Sequence, residues 1–392
     1  MILRCFSCGA RYGRERTLYA CRACESPLEV ALEPRDLRRV GTLEGRGVWR
    51  YQPLLPVRRS VTLGEGDTGL HLCERLGREI GIPRLFVKNE GENPTGSFKD
   101  RGMTVGIALA RAVGARAVAC ASTGNTSASM AAYAARAGMR ALVLLPAGKV
   151  ALGKLSQAVA HGARVAQIEG NFDDAMRLVV ELSLRERSVY LLNSLNPYRL
   201  EGQKTLAYEV CEALGEAPDA VVLPMGNAGN ISAIWKGFLE WKALGRIRRL
   251  PRLIGVQAEG AAPIVRAFRE RAALRPVEAP ETVATAIRIG APVNWKKAVA
   301  ALEQSGGDAG TVSDAEILEA QRRLARTEGL FVEPASAAPV AWLARHGLRG
   351  ARTVVVVTTG HGLKDPDALA RGKMELARVK PTLPALRRML AG

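Results

Sequence analysis

Short apolar runs that alternate with helix-like segments constrain the fold of this chain more than any other feature of its sequence. A first series consists of RLFVKNE, AVACAS, ALVLLP, RVAQIE and VYLLN, and a second consists of AVVLPMG, RLIGVQAE and TVVVVTTG. Continuous apolar runs separated by helices are typical of parallel strands covered on both faces. The pattern therefore predicts an α/β protein with two domains and a cleft where strand ends and loops meet.

The N-terminus carries a separate cysteine pattern. Four of the seven cysteines form two CxxC pairs that are twelve residues apart, and they are Cys5, Cys8, Cys21 and Cys24. Four thiolates on two tight turns match a tetrahedral zinc site, whereas two disulfides would be disfavoured in a reducing cytosol. We expect residues 1–33 to form a zinc-ribbon-like segment that binds structural zinc. A simple staple for a short N-terminal segment is the alternative reading.

Composition limits the classes of function. The net charge of +18 arises from arginines scattered over the whole length, and aromatic residues make up 5% of the chain. Such a surface favours anionic small molecules over nucleic acid, although a zinc-ribbon nucleic-acid binder remains a remote alternative. No apolar run is long enough to span a membrane, and the N-terminus does not resemble a secretory signal, so we expect a cytoplasmic protein.

A lysine in the segment ENPTGSFKDRG is the first candidate for chemistry. Ser97 and Asp100 stand in the S-x-x-D register of a capping box, which places Lys99 in the first turn of a helix. The positive end of the helix dipole disfavours a cation there and so favours a neutral, nucleophilic amine. From spacing alone, an ordinary capped helix with a solvated lysine explains the segment equally well.

Four further loops follow apolar runs and are suited to anions. ASTGNTSASM and MGNAGNISAIW place small and hydroxylated residues before a helix, and the second of them predicts a nest for a phosphate. NSLNPYRLEGQKT offers Arg199 and Lys204 for another anion, and TTGHGLKDP places Thr359 at the end of a buried strand. The lone His361 in that last loop is better explained as structural. Small-residue turns and helix caps without a ligand are the alternative for each loop.

One lysine combined with a phosphate nest and further anion loops fits pyridoxal phosphate and a phosphorylated amino acid. The segments ENPTGSFKDRG, STGNTSAS, NSLNPYRLEGQKT, GNAGN, TAIRIGAPVNW and TGHGLKDP occur in this order between Leu63 and Pro366. Together they resemble the threonine synthases, which are fold-type-II pyridoxal-phosphate enzymes of the tryptophan synthase β group. Gly69 stands where that family usually has proline, which affects only a turn.

The resemblance implies a role for each candidate residue. The cofactor would be bound by Lys99 as a Schiff base, by Asn125 at its 3-hydroxyl, by Thr359 at its pyridine nitrogen, and by a phosphate cradle of Gly226, Asn227, Ala228, Gly229 and Asn230. The substrate would be bound by Ser122, Thr123, Thr126, Ser194, Arg199 and Asn227, with Lys204 a weaker candidate. A neutral hydroxyl at position 359 would leave the pyridine nitrogen largely unprotonated.

The resemblance also implies an architecture and an activity. We expect a large cofactor-binding domain of residues 34–90 and 194–392, a small mobile domain of residues 91–193, and a homodimer. The implied reaction converts O-phospho-L-homoserine and water to L-threonine and phosphate by γ-elimination and β-addition. A serine or threonine dehydratase and a cysteate-synthase-like enzyme are the alternatives within the same fold.

Overall fold

A computed structural model of the chain describes residues 1–13, 17–147, 152–366 and 378–391. Its strands are β1 Ile2–Cys5, β2 Arg11–Tyr12, β3 Leu28–Ala31, β4 Leu70–Leu72, β5 Arg84–Asn89, β6 Ala117–Ala121, β7 Arg140–Pro146, β8 Arg164–Ile168, β9 Val189–Leu191, β10 Ala220–Pro224, β11 Arg252–Ala258, β12 Asp308–Val312 and β13 Thr353–Thr358.

The described α-helices are α1 Pro34–Leu37, α2 Glu74–Ile80, α3 Lys99–Ala112, α4 Asn125–Arg136, α5 Leu152–Ala160, α6 Phe172–Arg185, α7 Pro197–Gln203, α8 Thr205–Leu214, α9 Gly229–Ala243, α10 Pro263–Glu270, α11 Trp295–Gln304, α12 Asp314–Glu328, α13 Pro334–His346 and α14 Leu383–Ala391. Among the helices in these ranges, none combines the length and apolar character that crossing a bilayer requires.

The largest sheet has six strands in the order β12-β11-β10-β13-β5-β4. All pairs are parallel except β4 with β5, so the antiparallel strand closes one edge. The run VVVV of β13 lies near the middle and is buried on both faces, with α13 packed against it. The predicted α/β class is therefore confirmed, and β12, whose short sequence DAGTV gave no clear signal, is the strand that the pattern missed.

A second sheet has four parallel strands in the order β8-β7-β6-β9. Helices α4 and α6 pack against β6 and β7, and the alanine-rich face of α4 lets that helix approach the sheet closely. The strands of both sheets run toward the same group of loops. These loops follow β5, β6, β9, β10 and β13, and they contain the residues predicted to carry chemistry.

The N-terminal segment forms a small antiparallel sheet in the order β2-β1-β3. Its edge strand β3 is attached to the rest of the protein by two lysines. Lys297 Nζ donates to Leu28 O at 2.6 Å, and Lys236 Nζ donates to Val30 O. Because both ammonium groups satisfy carbonyls on the free edge of β3, they fix the position of the segment against α9 and α11.

A buried ion-pair network joins α3 to both the large sheet and α8. Arg101 has no exposed surface, and its guanidinium donates to Glu90 at 2.6 Å and to Glu209 at 2.6 Å. Lys88 Nζ adds a further pair with Glu209 at 2.7 Å. Burial opposes ionisation of Glu209, but Arg101 and Lys88 outweigh it and lower the pKa of this carboxyl to about 2.

Removing the central cation of this network should destabilise the protein strongly. Arg101→Met leaves Glu90 unpaired in the interior, so we expect the free energy of unfolding to fall by about 3–5 kcal/mol, as measured by urea denaturation. Arg248→Met is the matched control because Arg248 pairs with Glu216 at the surface, and it should change the midpoint little. Equal effects of the two substitutions would contradict a structural role for the buried network.

Candidate active site

A single cavity gathers most of the predicted site residues. It lies at the carboxyl ends of the parallel strands, and among the residues that the structure describes it is lined by Phe98, Lys99, Ser194, Arg199, Leu200, Gln203, Pro224, Gly226, Asn227, Ala228, Gly229, Asn230, Ala286, Ile287, Glu333 and Thr359. Ala286 and Ile287 come from the segment TAIRIGAPVNW and close the wall opposite the small-residue loop.

Lys99 is the first residue of α3 and faces the cavity. Its amine lies 3.7 Å from the centroid of the Phe98 ring, and among the described residues it has neither a hydrogen-bond partner nor an acidic partner in an ion pair. Desolvation and then the charge of Arg199 lower the pKa of Lys99 to about 7, although Glu333 acts in the opposite direction. A large fraction of this amine is therefore neutral and nucleophilic near neutral pH.

The predicted capping box at the start of α3 is wrong. Phe98 occupies the N-cap position, and the Ser97 hydroxyl has no partner in the described parts of the chain. The Asp100 carboxylate instead accepts from the backbone N–H of Thr95 at 2.7 Å and from the hydroxyls of Thr95 and Ser129. Asp100 therefore fixes the loop before the helix rather than capping it, which holds Lys99 in place from below.

Arg199 is a buried cation without an anionic partner. The residue is 2% exposed, and its Nη1 donates to the carbonyl of Leu192 at 2.9 Å. Its Nε has no partner, and among the described residues no carboxylate forms an ion pair with the guanidinium. Burial lowers the pKa of Arg199 to about 10. An uncompensated buried charge is unfavourable by several kcal/mol, so the site is suited to an anion that enters the cavity.

The loop between β10 and α9 forms a concave backbone surface at a helix N-terminus. Ala228 is the N-cap and has a φ of 60°, which turns successive N–H groups toward one side, and no side chain caps the helix. A side chain at Gly226 would come within 3.1 Å of the carbonyl of Ala286, so only glycine leaves this passage open. Both polar atoms of the buried Asn230 amide lack partners. Such a nest fits a phosphate group.

Asn227 and Ser194 line the same cavity, but part of their polar capacity serves the structure. The Asn227 Oδ1 accepts from the backbone N–H of Val293 at 3.2 Å, so its amide N–H groups are the part that remains for a ligand. The Ser194 carbonyl accepts from Asn294 Nδ2 at 3.4 Å, which leaves the Ser194 hydroxyl to face the cavity.

Glu333 is a cavity residue that the sequence analysis missed. It is 4% exposed, it accepts from Asn125 Nδ2 at 3.0 Å, and it accepts from Thr359 Oγ1 at 3.3 Å. Burial raises the pKa of Glu333, while Asn125 and Lys99 act to lower it. The carboxyl group therefore joins two residues that were predicted to bind opposite sides of one cofactor ring. The segment EPAS has no pattern of charge or spacing that would have identified it from one sequence.

The remaining predicted residues lie outside the described cavity wall. Ser122, Thr123 and Thr126 stand around the N-terminus of α4, where the Ser122 hydroxyl accepts from the N–H of Gly124 at 3.2 Å. Lys204 points away from the cavity, since its Nζ pairs with Glu201 at 2.6 Å and with Glu240 at 2.8 Å. His361 accepts from the N–H of Leu363, in agreement with a structural role.

The arrangement fits pyridoxal phosphate on its own residues. It offers a largely neutral amine at Lys99 and a backbone nest for a phosphate at residues 226–230. It also offers orphaned polar atoms at Asn230 and Gln203, and a neutral hydroxyl at Thr359 for a ring nitrogen. The unpaired guanidinium of Arg199 is then left for a second anion in the same cavity.

Known proteins agree with this chemistry. Residues 61–360 match the family model described as "Pyridoxal-phosphate dependent enzyme". The chain is similar to the threonine synthase of Methanocaldococcus jannaschii, at 52% identity over 404 residues that cover 100% of this chain and 99% of the relative. It is also similar to the threonine synthase of Methanosarcina acetivorans, at 53% identity with 100% and 98% covered, and to that of Synechocystis, at 54% identity with 85% and 87% covered.

Solved structures share the fold. A bacterial-type threonine deaminase known from its crystal structure superposes with a TM-score of 0.62 at 26% identity, and the match covers 79% of this chain and 94% of the deaminase. A threonine deaminase isoform from Solanum lycopersicum has a TM-score of 0.66 at 20% identity, with 88% and 97% covered. The chain belongs to the family of pyridoxal-phosphate dependent enzymes and has their fold-type-II α/β architecture.

Proposed function

We propose that this protein is a threonine synthase, which converts O-phospho-L-homoserine and water to L-threonine and phosphate. The observation that carries the proposal is Arg199, a buried guanidinium that lacks a carboxylate partner and lines the same cavity as Lys99. A substrate phosphate supplies the anion that this guanidinium lacks, and the names of the curated relatives agree with that choice.

Each proposed residue acts on a part of the two small molecules. When bound, pyridoxal phosphate withdraws electrons from the substrate carbon skeleton. Lys99 holds the cofactor and, once released, carries protons to and from the substrate. Residues 226–230 bind the cofactor phosphate, and Asn125 and Thr359 bind its ring. Ser194, Arg199 and the Asn227 amide bind the substrate phosphate, whereas Ser122, Thr123 and Thr126 receive the substrate carboxylate once the cleft closes over them.

Closure of the cleft agrees with the proposed domains. All strands of the four-stranded sheet fall within residues 91–193, and all strands of the six-stranded sheet fall within residues 34–90 and 194–392. We propose these as the small mobile domain and the large domain. The Asn125–Glu333 hydrogen bond is then a contact between them. A homodimeric state, a cytoplasmic location and the lack of nucleic-acid binding stay predictions from the sequence.

The N-terminal segment, residues 1–33, is proposed to bind a structural zinc ion. The four Sγ atoms of Cys5, Cys8, Cys21 and Cys24 lie within 4.8 Å of one another, and the pairs Cys5–Cys24 and Cys8–Cys21 are 3.5 and 3.6 Å apart. Four sulfurs about 2.3 Å from a tetrahedral zinc ion would be roughly 3.8 Å apart, so the thiols already stand close to the required geometry.

Substitution of the phosphate-binding cation tests the activity. We expect the purified enzyme to release phosphate from O-phospho-L-homoserine, and we expect Arg199→Gln to lower kcat/KM at least about 100-fold, which corresponds to roughly 3 kcal/mol. Arg111→Gln, which removes an exposed arginine, is the control. The absorbance of bound cofactor should be unchanged in both variants. A wild-type protein that deaminates threonine and leaves the phosphorylated substrate intact would show that the dehydratase alternative is correct.

The acidity of Lys99 predicts a pH dependence. Because desolvation and Arg199 lower the pKa of this amine to about 7, its neutral fraction rises as pH passes upward through this value. The rate at which the apoprotein takes up pyridoxal phosphate should therefore increase with a midpoint near pH 7. Removing the charge in Arg199→Gln should move this midpoint upward, whereas Arg248→Gln at the surface should not. A midpoint close to that of free lysine would contradict the proposal.

Metal content tests the zinc site. The isolated protein should contain about one zinc ion per chain by mass spectrometry, and Cys8→Ser should lose it because one of four ligands is removed. We expect the thermal midpoint of this variant to fall, since zinc binding contributes to the folding of such small segments. Cys211→Ala removes a buried cysteine far outside the cluster and should keep the metal. Full zinc content in Cys8→Ser would overturn the assignment.

A further inference from the structure

The hydrogen bonds around Thr359 determine the direction in which its hydroxyl proton points. Thr359 directly follows β13 and lines the cavity, and behind it lies Ser336 in the first turn of α13. The two hydroxyl oxygens are 2.9 Å apart, and Ser336 has no exposed surface. Distance alone leaves the donor open, because each hydroxyl has one proton and two lone pairs.

The backbone resolves which hydroxyl is the donor. The Ser336 Oγ accepts from the N–H of Thr359 at 2.8 Å and from the N–H of Gly360 at 2.9 Å. Both of its lone pairs are thereby used, so the Ser336 hydroxyl must donate its own proton. One acceptor is Thr359 Oγ1 at 2.9 Å, and the other is the Gly360 carbonyl at 3.4 Å. That carbonyl already accepts from the N–H of Glu333 at 2.9 Å, so the shorter contact to Thr359 is favoured.

The Thr359 hydroxyl is consequently an acceptor from Ser336 and has its own proton left to donate. Within the described structure, that proton has two destinations. One is Glu333 Oε1, at a long distance of 3.3 Å, and the other is the cavity. A group in the cavity that accepts at a normal distance would compete successfully with the longer contact.

We propose that Ser336 is a positioning residue that orients the Thr359 hydroxyl so that it donates its proton to the pyridine nitrogen of the cofactor. This inference rests on the proposed contact between Thr359 and that nitrogen. A nitrogen that accepts a hydrogen bond in its neutral form stays unprotonated, because protonation would leave two donors facing each other. Ser336 therefore acts on the cofactor only through Thr359, without touching it.

Glu333 sets the limit of this arrangement. If the Thr359 proton turned to the Glu333 carboxylate, the hydroxyl would offer its remaining lone pair to the nitrogen and favour its protonated form. Asn125 donates to the other oxygen of this carboxylate at 3.0 Å, which reduces its demand for a second donor. Lys99 and Lys364 are the charged groups whose fields act on Glu333, and both favour its ionised form. Ser336 is thus needed to keep the direction of the Thr359 hydroxyl fixed against a nearby carboxylate.

The test follows the protonation of the ring nitrogen by ¹⁵N NMR on the holoenzyme loaded with ¹⁵N-labelled pyridoxal phosphate. In the wild type, the shift should be that of an unprotonated, hydrogen-bonded pyridine and should not change with pH over the stable range of the protein. In Ser336→Ala, the shift should become pH-dependent and move toward that of Thr359→Asp, in which a carboxylate holds the proton on the nitrogen. Ser336→Thr retains a hydroxyl and should restore the wild-type shift.

Two results would overturn the proposal. One is a Ser336→Ala holoenzyme whose shift equals that of the wild type at every pH. The other comes from neutron diffraction of the wild-type holoenzyme, which needs no variant and so remains decisive if Ser336→Ala does not fold. It should show the Ser336 proton on the line to Thr359 and the Thr359 proton on the line to the ring, and a Thr359 proton directed at Glu333 would contradict us. Neither readout requires turnover, so a failure of the proposed reaction would be recognised separately.

Discussion

A lysine amine and a guanidinium share one enclosed cavity, and among the described residues no carboxylate forms an ion pair with either of them. Two cations in such a place repel each other and lose hydration, and both effects lower the pKa of Lys99. The same features that make the pair unfavourable in the free protein prepare it for its ligands. An aldehyde reacts with the neutral amine, and a phosphate compensates the guanidinium. The rest of the structure can be understood as the framework that holds these two groups together.

That framework depends on parallel strands that end at one place. The loops after β5, β10 and β13 bring Lys99, the nest of residues 226–230 and Thr359 together from distant parts of the sequence. Buried pairs around Arg101 fix α3, and Asp100 fixes the loop that precedes it. Since the ionic groups that support the fold are paired with one another, the cations of the cavity remain available for ligands.

The sequence predicted the strands and the loops better than the hydrogen bonds between them. Apolar runs such as VVVV identify buried parallel strands because burial on both faces leaves no polar positions, whereas the short β12 has too little apolar character to be recognised. Lys99 and the glycine-rich nest could be predicted since their chemistry is local. The capping role of Ser97 was wrong because Thr95 and Ser129 compete for the same carboxylate, and Ser129 lies on another helix. Glu333 and Ser336 were missed because their importance arises only from contacts with Asn125 and Thr359.

The central claim is that Lys99 is the residue that carries the cofactor. It is tested most directly by treating the holoenzyme with borohydride, digesting it with protease and locating the pyridoxyl phosphate by mass spectrometry. Our account predicts a stoichiometric label on the peptide that contains Lys99. A label on Lys364 or Lys297, whose pKa values burial also lowers, or no label on a protein that is nevertheless active, would contradict it.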